Sequence, residues 1–176
     1  MSRKIIIDTD PGIDDAMAIL FALYSPEVEL VGLTTIFGNV HTPLATQNAL
    51  RLLAFANHAH IPVAHGAAKP LHIGFDQPAV VVHGKNGFGE VELPTPNTPP
   101  DQRSAAQFLV DTIMANPGEI TLVPVGPLTN LALALSLEPR IAEHVAEVVL
   151  MGGAGGVNGN VNPAAEANIW HDPHAA

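Results

Sequence analysis

Short apolar, β-branched runs alternate along this chain with segments whose apolar residues recur at helical spacing, and few folds accommodate that alternation. Lys4–Asp8, Val28–Ile36, Ile61–Ala64, Ile120–Val125 and Val148–Met151 read as strands. Asp14–Tyr24, Pro43–Asn57, Ser104–Ala115, Leu128–Leu137 and Pro139–Ala146 read as helices, with Asp101 or Ser104 capping the third. Strand then helix, repeated, predicts an α/β fold. The sheet is Rossmann-like and mostly parallel, flanked by helices and joined by right-handed crossovers. A Gly/Pro-rich stretch from Gly66 to Pro100 and a loop over Gly152–Pro163 interrupt the pattern, without an internal repeat or a low-complexity linker. The chain therefore reads as a single α/β domain over 1–176. Near its end, Asp172-Pro173 has the form of a helix start, with Asp172 as N-cap and Pro173 in the first turn. Barely a turn follows, so the domain reads as truncated at its C-terminus.

Asp8, Asp10, Asp14 and Asp15 crowd into the segment DTDPGIDD. Period two places Asp8 and Asp10 on one face at the end of the first strand. Pro11-Gly12 turns the chain, and Asp14 and Asp15 open the next helix. Carboxylates this close raise one another's pKa unless a positive charge sits among them. An all-oxygen set without Cys or His suits a hard cation such as Ca²⁺ or Mg²⁺. The affinity of acidic residues for a helix start accounts for one or two of the four, not for all.

Ligands of a parallel α/β sheet sit beyond the carboxyl ends of its strands, and polar segments follow several of them. Asn39 comes after Thr34–Phe37, and PVGPLTN comes after Ile120–Leu122. GNVNPAAEAN, with Asn160, Asn162, Glu166 and Asn168, comes after VVLMGG. Amides beside a carboxylate supply the donors and acceptors that sugar hydroxyls need. Asn in a Gly-rich loop is also a common turn former.

The formal charge of −10 argues against nucleic acid, whose phosphates want a basic face. Absence of cysteine removes disulfides, thiolate catalysis and zinc–thiolate sites, and is compatible with a cytoplasmic protein. The opening MSRKIIIDTD is neither a signal peptide nor a membrane span, and no membrane association is expected. His41, His58, His60, His65, His72, His144, His171 and His174 show no ligand spacing tied to carboxylates.

DTDPGIDDAMAI resembles the N-terminal signature of the inosine–uridine-preferring nucleoside hydrolases. The likeness continues in order through TTIFGNV, VHGKNGFG, PVGPLTNLALAL and EVVLMGGAGG…GNVNPAAEANIWHDPHAA. It implies hydrolysis of the N-glycosidic bond of ribonucleosides to ribose and free base, in nucleoside salvage, with Ca²⁺ as cofactor. Carried over by motif, Asp10 and Asp15 would ligate the metal by side chain and Val125 by its main-chain carbonyl. Asp10 would also take a proton from the attacking water. Asp14, Asn39, Asn160, Glu166 and Asn168 would hold ribose hydroxyls. His83 would lie near the base and Met151 near the sugar. Intact members of the family tend to be homo-oligomers, dimers or tetramers.

Three departures qualify the likeness. Ala167 stands where the family usually has an aromatic between Glu166 and Asn168, removing a pocket wall. Lys85 and Asn86 stand in VHGKNG where the family has an acidic residue and Ser or Thr. A later segment of the family contributes a further aspartate to the metal and, in many members, a histidine near the base. With Asp10, Asp15 and one carbonyl, few of the 6–8 oxygens of a calcium site are supplied. Weak metal binding and little turnover by this chain alone are therefore expected. Two alternatives remain: a non-catalytic nucleoside- or ribose-binding protein or inert fragment, and an aspartate-dependent phosphatase. IIIDTD suggests the latter, but Lys4, Lys69 and Lys85 are poorly placed for it. GGAGG lacks the G-x-G-x-x-G of dinucleotide binding.

Overall fold

The computed structural model describes residues 2–75 and 78–176. The strands are β1 (Arg3–Thr9), β2 (Val28–Thr35), β3 (Val63–His65), β4 (Asp101–Ser104), β5 (Ile120–Pro124) and β6 (Glu147–Val148). The helices are α1 (Ile13–Tyr24), α2 (Thr42–Phe55), α3 (Val80–His83), α4 (Ala105–Ala115), α5 (Thr129–Leu137), α6 (Ile141–His144) and α7 (Ala167–His171). All strand pairs are parallel, in the order β4-β3-β2-β1-β5-β6.

Alternation along β1 explains the two layers of helix. Ile5 and Ile7 face one side, where they meet Ile19 and Ala22 of α1 and Ala49, Leu52 and Leu53 of α2. Ile6 faces the other, with Phe108, Leu109 and Ile113 of α4, Ala134 of α5 and Ile141 of α6. A sheet covered on both faces must be apolar on both, which is why the strand runs read as continuous rather than alternating. Sheet order reverses at β1: the chain steps outward through β2, β3 and β4, then returns to β5 on the opposite side. The crevice at such a reversal, beyond the carboxyl ends of β1 and β5, is where an open α/β sheet takes ligands.

Several boundaries differ from the sequence reading. β4 has the polar sequence DQRS and lies at a sheet edge, so no apolar run announces it. α3 forms inside the Gly/Pro-rich stretch read as loop. The last strand is shorter and earlier than Val148–Met151, although Val149 and Met151 still donate to Leu122 and Pro124 of the neighbouring chain segment. Helix α1 is apolar on both sides, with Met17, Phe21 and Tyr24 exposed, where an amphipathic helix was expected. Asp172 is not an N-cap. It follows α7, fully buried, and one carboxylate oxygen accepts from Leu71 N–H (2.9 Å) and the Thr129 hydroxyl (2.7 Å). Ser104 does cap α4, accepting from Gln107 N–H. No helix among the described residues is long and apolar enough to cross a membrane.

The second core face depends on Phe108, which lies against Gly32: a Cβ there would come within 2.5 Å of the ring's Cζ. Phe108→Ala should cost about 3–5 kcal/mol of unfolding free energy by urea denaturation. Gly32→Ala should also destabilise, by overpacking. A cost below about 1 kcal/mol for Phe108→Ala would contradict this packing.

Candidate active site

β1 carries Asp8 inside the sheet and Asp10 just past its end, and both are buried. Asp8 accepts from the Thr34 hydroxyl (2.5 Å) and from Asn130 Nδ2 (2.8 Å), while its second oxygen has no partner among the described residues. Burial outweighs the two bonds and pushes Asp8 up to about 7. Asp10 Oδ2 accepts from Asn39 N–H, and Oδ1 is buried without a partner among the described residues. Burial first, then the charge of Asp15, holds Asp10 well above the usual carboxylate range. Asp15 accepts from the Thr9 hydroxyl (2.6 Å), Gly12 N–H (3.0 Å) and Asn39 Nδ2 (2.9 Å). Burial still raises its pKa. Asp15 thus closes the first turn of α1 and ties that turn to β1 and to the loop after β2.

Two glycines permit this crowding. A Cβ on Gly12 would lie 2.7 Å from His83 Nδ1 and 2.9 Å from Asn39 Nδ2. Gly38 has φ +152°, and a Cβ there would overlap Asp10 Oδ2.

Beside these carboxylates opens a cavity of about 840 Å³. Asp14 reaches it from α1, Asn39 from the β2–α2 loop and His83 from α3. Met151 and Asn160 reach it from the segment after β6, and Glu166 and Asn168 from α7 and its cap. Every residue that the family resemblance placed on the substrate lines this one cavity. Asp10, Asp15 and Val125 do not line it, but are joined to residues that do. Asn39 bonds to both aspartates, and Asn168 Nδ2 donates to the Val125 carbonyl (2.9 Å) and the Met151 carbonyl (2.8 Å). The Val125 N–H in turn donates to the Asp8 carbonyl (2.8 Å).

Local bonds explain the other positions. Glu166 caps α7, accepting from Asn168 and Ile169 N–H, and also from Gly153 N–H. Asn160 Oδ1 accepts from Ala167 N–H (2.9 Å). Asn162 serves a turn, accepting from Ala164 N–H, and does not line the cavity. His83 Nδ1 accepts from Ile13 N–H (3.2 Å), so the neutral ring carries its proton on Nε2. Asp14 lies 3.8 Å from the same Nδ1, and with that tautomer the contact is not an ion pair.

Lys85 and Asn86 do not line the cavity; Asn86 Oδ1 accepts from Phe88 and Glu90 N–H in a turn. Ala167 does line it, and Trp170 supplies aromatic surface one helical turn further on. Trp170 and His171 were missed as site residues. Their signal is spacing: they follow Ala167 and Asn168 at i+3 on a short helix.

The residues fit a hard cation in kind. Asp10 Oδ1 is buried and without a partner among the described residues, and a Cβ on Gly126, the residue after Val125, would come within 2.8 Å of it. Two carboxylates and a main-chain carbonyl are the donors that Ca²⁺ takes. No group of three or more His, Cys, Asp or Glu side chains is arranged for a metal among the described residues.

A family model described as inosine-uridine preferring nucleoside hydrolase matches residues 5–176. The chain belongs to this family. It is 58% identical to probable uridine nucleosidase 2 of Arabidopsis thaliana over 175 residues, 99% of this chain and 54% of that protein. It is 49% identical to the inosine-uridine preferring nucleoside hydrolase of Leishmania major over 178 residues, 100% of this chain and 56% of that protein. A solved plant nucleoside hydrolase superposes with a TM-score of 0.96 at 50% identity, over 99% of this chain and 55% of that one. A purine-preferring ribonucleoside hydrolase from Gardnerella vaginalis gives 0.96 at 38% identity, over 99% and 56%. The chain spans about half the length of the relatives it matches.

Asn168 joins the cavity to the Val125 loop. Asn168→Ala leaves two carbonyls without their donor and should cost about 1–3 kcal/mol in urea denaturation. Asn168→Asp should cost more, because it turns a carboxylate toward both carbonyls. Equal stability of wild type and Asn168→Ala would show that the side chain does not bridge the two segments.

Proposed function

We propose that this chain binds ribonucleosides in the cavity beside Asp10 and takes part in hydrolysing their N-glycosidic bond to ribose and free base. The observation that carries this reading is the convergence of Asp14, Asn39, Asn160, Glu166 and Asn168 on one cavity. No Lys or Arg is among the described residues that line it, so the cavity suits hydroxyls and developing positive charge rather than phosphate.

The reaction needs such a surface. Cleaving the glycosidic bond leaves positive charge on the sugar ring. Fixed carboxylates stabilise that charge more in the transition state than in the ground state, and that difference is what accelerates the step. Asn39, Asn160 and Asn168 offer amides to ribose hydroxyls, and His83 presents Nε2–H as a donor. Asp10 Oδ1, without a partner among the described residues, has a free lone pair for the proton of an attacking water.

Asp10, Asp15 and the Val125 carbonyl are the groups that would hold Ca²⁺. When bound, the ion supplies a fixed positive charge that orients hydroxyls and acidifies water. Three protein oxygens are at most about half of the 6–8 that Ca²⁺ takes. Relatives carry names that differ in base: uridine, inosine-uridine and purine. We therefore assign ribonucleosides as a class, and a cytoplasmic, homo-oligomeric protein as its setting.

A reducing-sugar assay on inosine, uridine and cytidine tests the proposal. Ribose release should require millimolar Ca²⁺ and stop with EDTA. It should fall about 100-fold or more in Asp10→Ala. It should be poor on 2′-deoxyribonucleosides, which lack one anchoring hydroxyl. Absence of both ribose release and ribonucleoside binding at saturating Ca²⁺ would overturn it.

A further inference from the structure

Helix α7 presents Asn168 to the cavity, with Glu166 at its cap, yet it is five residues long. A helix so short has no stability of its own, so its placement comes from tertiary contacts. Among the described residues, two of its side chains carry hydrogen bonds beyond the segment that follows β6. Asn168 Nδ2 donates to the Val125 carbonyl, and Asp172 Oδ2 accepts from the Thr129 hydroxyl (2.7 Å) and from Leu71 N–H (2.9 Å). Asn168 and Asp172 are four residues apart, and so are Val125 and Thr129. The two attachments therefore seat α7 along the β5–α5 connection at matched intervals.

That connection is itself fixed to the carboxylate end of the site. Asn130, beside Thr129, donates from Nδ2 to Asp8 Oδ1 (2.8 Å) and to the Thr35 carbonyl (3.0 Å), and its Oδ1 accepts from Ala67 N–H (2.9 Å). Ala67 and Leu71 belong to the same connection after β3. Thr129, Asn130 and Asp172 are all buried. Through Asp172, α7 is thus held by the same frame that holds β1 and its aspartates. The orientation of Asn168 depends on that hold. Its Nδ2 is engaged by the Val125 and Met151 carbonyls, while its Oδ1 makes no hydrogen bond among the described residues. A hydrogen bond is short and directional, so a hydroxyl bound by Asn168 depends on where α7 sits.

We propose that Asp172 is a positioning residue of the ribose site: by gripping Thr129 and Leu71 it sets where α7 presents Asn168. Asp172 does not itself line the cavity, so it acts through Asn168 and not on the ligand. The inference rests on the nucleoside reading of the cavity.

Ribose is the probe, since it is not consumed and, on that reading, meets Asn168 on one wall and Asn39 on the other. By calorimetry in Ca²⁺, Asp172→Ala should bind ribose about tenfold more weakly than the wild type. Asp172→Asn keeps an oxygen for Thr129 and Leu71 and should stay within about threefold. Thr129→Val removes one donor without touching α7 and should weaken ribose in the same direction; it carries the test if Asp172→Ala does not fold. A double-mutant cycle separates positioning from general stability. Asn168→Ala should cost about tenfold in the wild type and lose most of that effect in the Asp172→Ala or Thr129→Val background. Asn39→Ala, on the opposite wall, should cost the same in every background. Wild-type ribose affinity in both Asp172→Ala and Thr129→Val, or losses that simply add to that of Asn168→Ala, overturns the assignment while ribose still binds the wild type. Failure of ribose and uridine alike to bind the wild type overturns the nucleoside reading itself, and this assignment with it.

Discussion

Three buried carboxylates, Asp8, Asp10 and Asp15, set the terms for everything around them. Taking an ionised group out of water is expensive unless hydrogen bonds or an opposite charge replace the lost solvent. Here the replacements are specific. Thr34 and Asn130 serve Asp8, Asn39 serves Asp10, and Thr9, Gly12 and Asn39 serve Asp15. They come from β1, β2, α5 and the turns between, so the carboxylates hold those elements in register as much as those elements hold them. Even so, the pKa of all three is raised, with burial as the first cause. A group held at such cost is held where a positive charge would relieve it, which is the electrostatic ground for placing the proposed cation at Asp10.

Topology puts that cost where it can be used. β1 is central, between β2 and β5, and the sheet order turns back on itself there. The loops leaving β2 and β5 diverge to opposite faces, and the buried end of β1 lies between them. Asn39 comes from one loop and Val125 from the other. Asn168 then spans from α7 to the Val125 carbonyl, so a residue distant in sequence completes the same crevice. Crowding at this point is the reason for small residues: Gly12, Gly38 and Gly126 each lie where a Cβ would meet a site side chain.

The sequence displayed what depends on local pattern. Ile5-Ile6-Ile7 and Leu30–Leu33 are apolar because the sheet is covered on both faces, and a run of that kind is visible without a partner. The crowded aspartates were visible for a similar reason, since four in one segment exceed what helix capping explains. β4 and α3 were not, because a polar edge strand and a single helical turn have no periodic signature. Asn130 was also hidden. Its value lies in reaching Asp8 across 122 residues, and nothing near it in the chain signals that bond. Asp172 misled for the opposite reason: Asp-Pro is a sound local cue for a helix start, but the tertiary demand for an acceptor at Thr129 and Leu71 took the side chain instead.

Structural and functional readings of a residue are often set against each other, and at this site the opposition fails. Asp15 satisfies the first turn of α1 and is also one of the oxygens offered to a cation. Glu166 caps α7 while lining the cavity, and Asn168 bridges two carbonyls while facing the same space. Each is pinned by bonds to main chain. A site assembled from side chains already fixed in this way loses little conformational freedom on binding, so more of its interaction with a ribose remains available for the step that breaks the bond. The residues with unpartnered atoms are the complement: among the described residues Asp10 Oδ1 is buried without a hydrogen bond, and it belongs to the residue to which the proposed chemistry gives the proton.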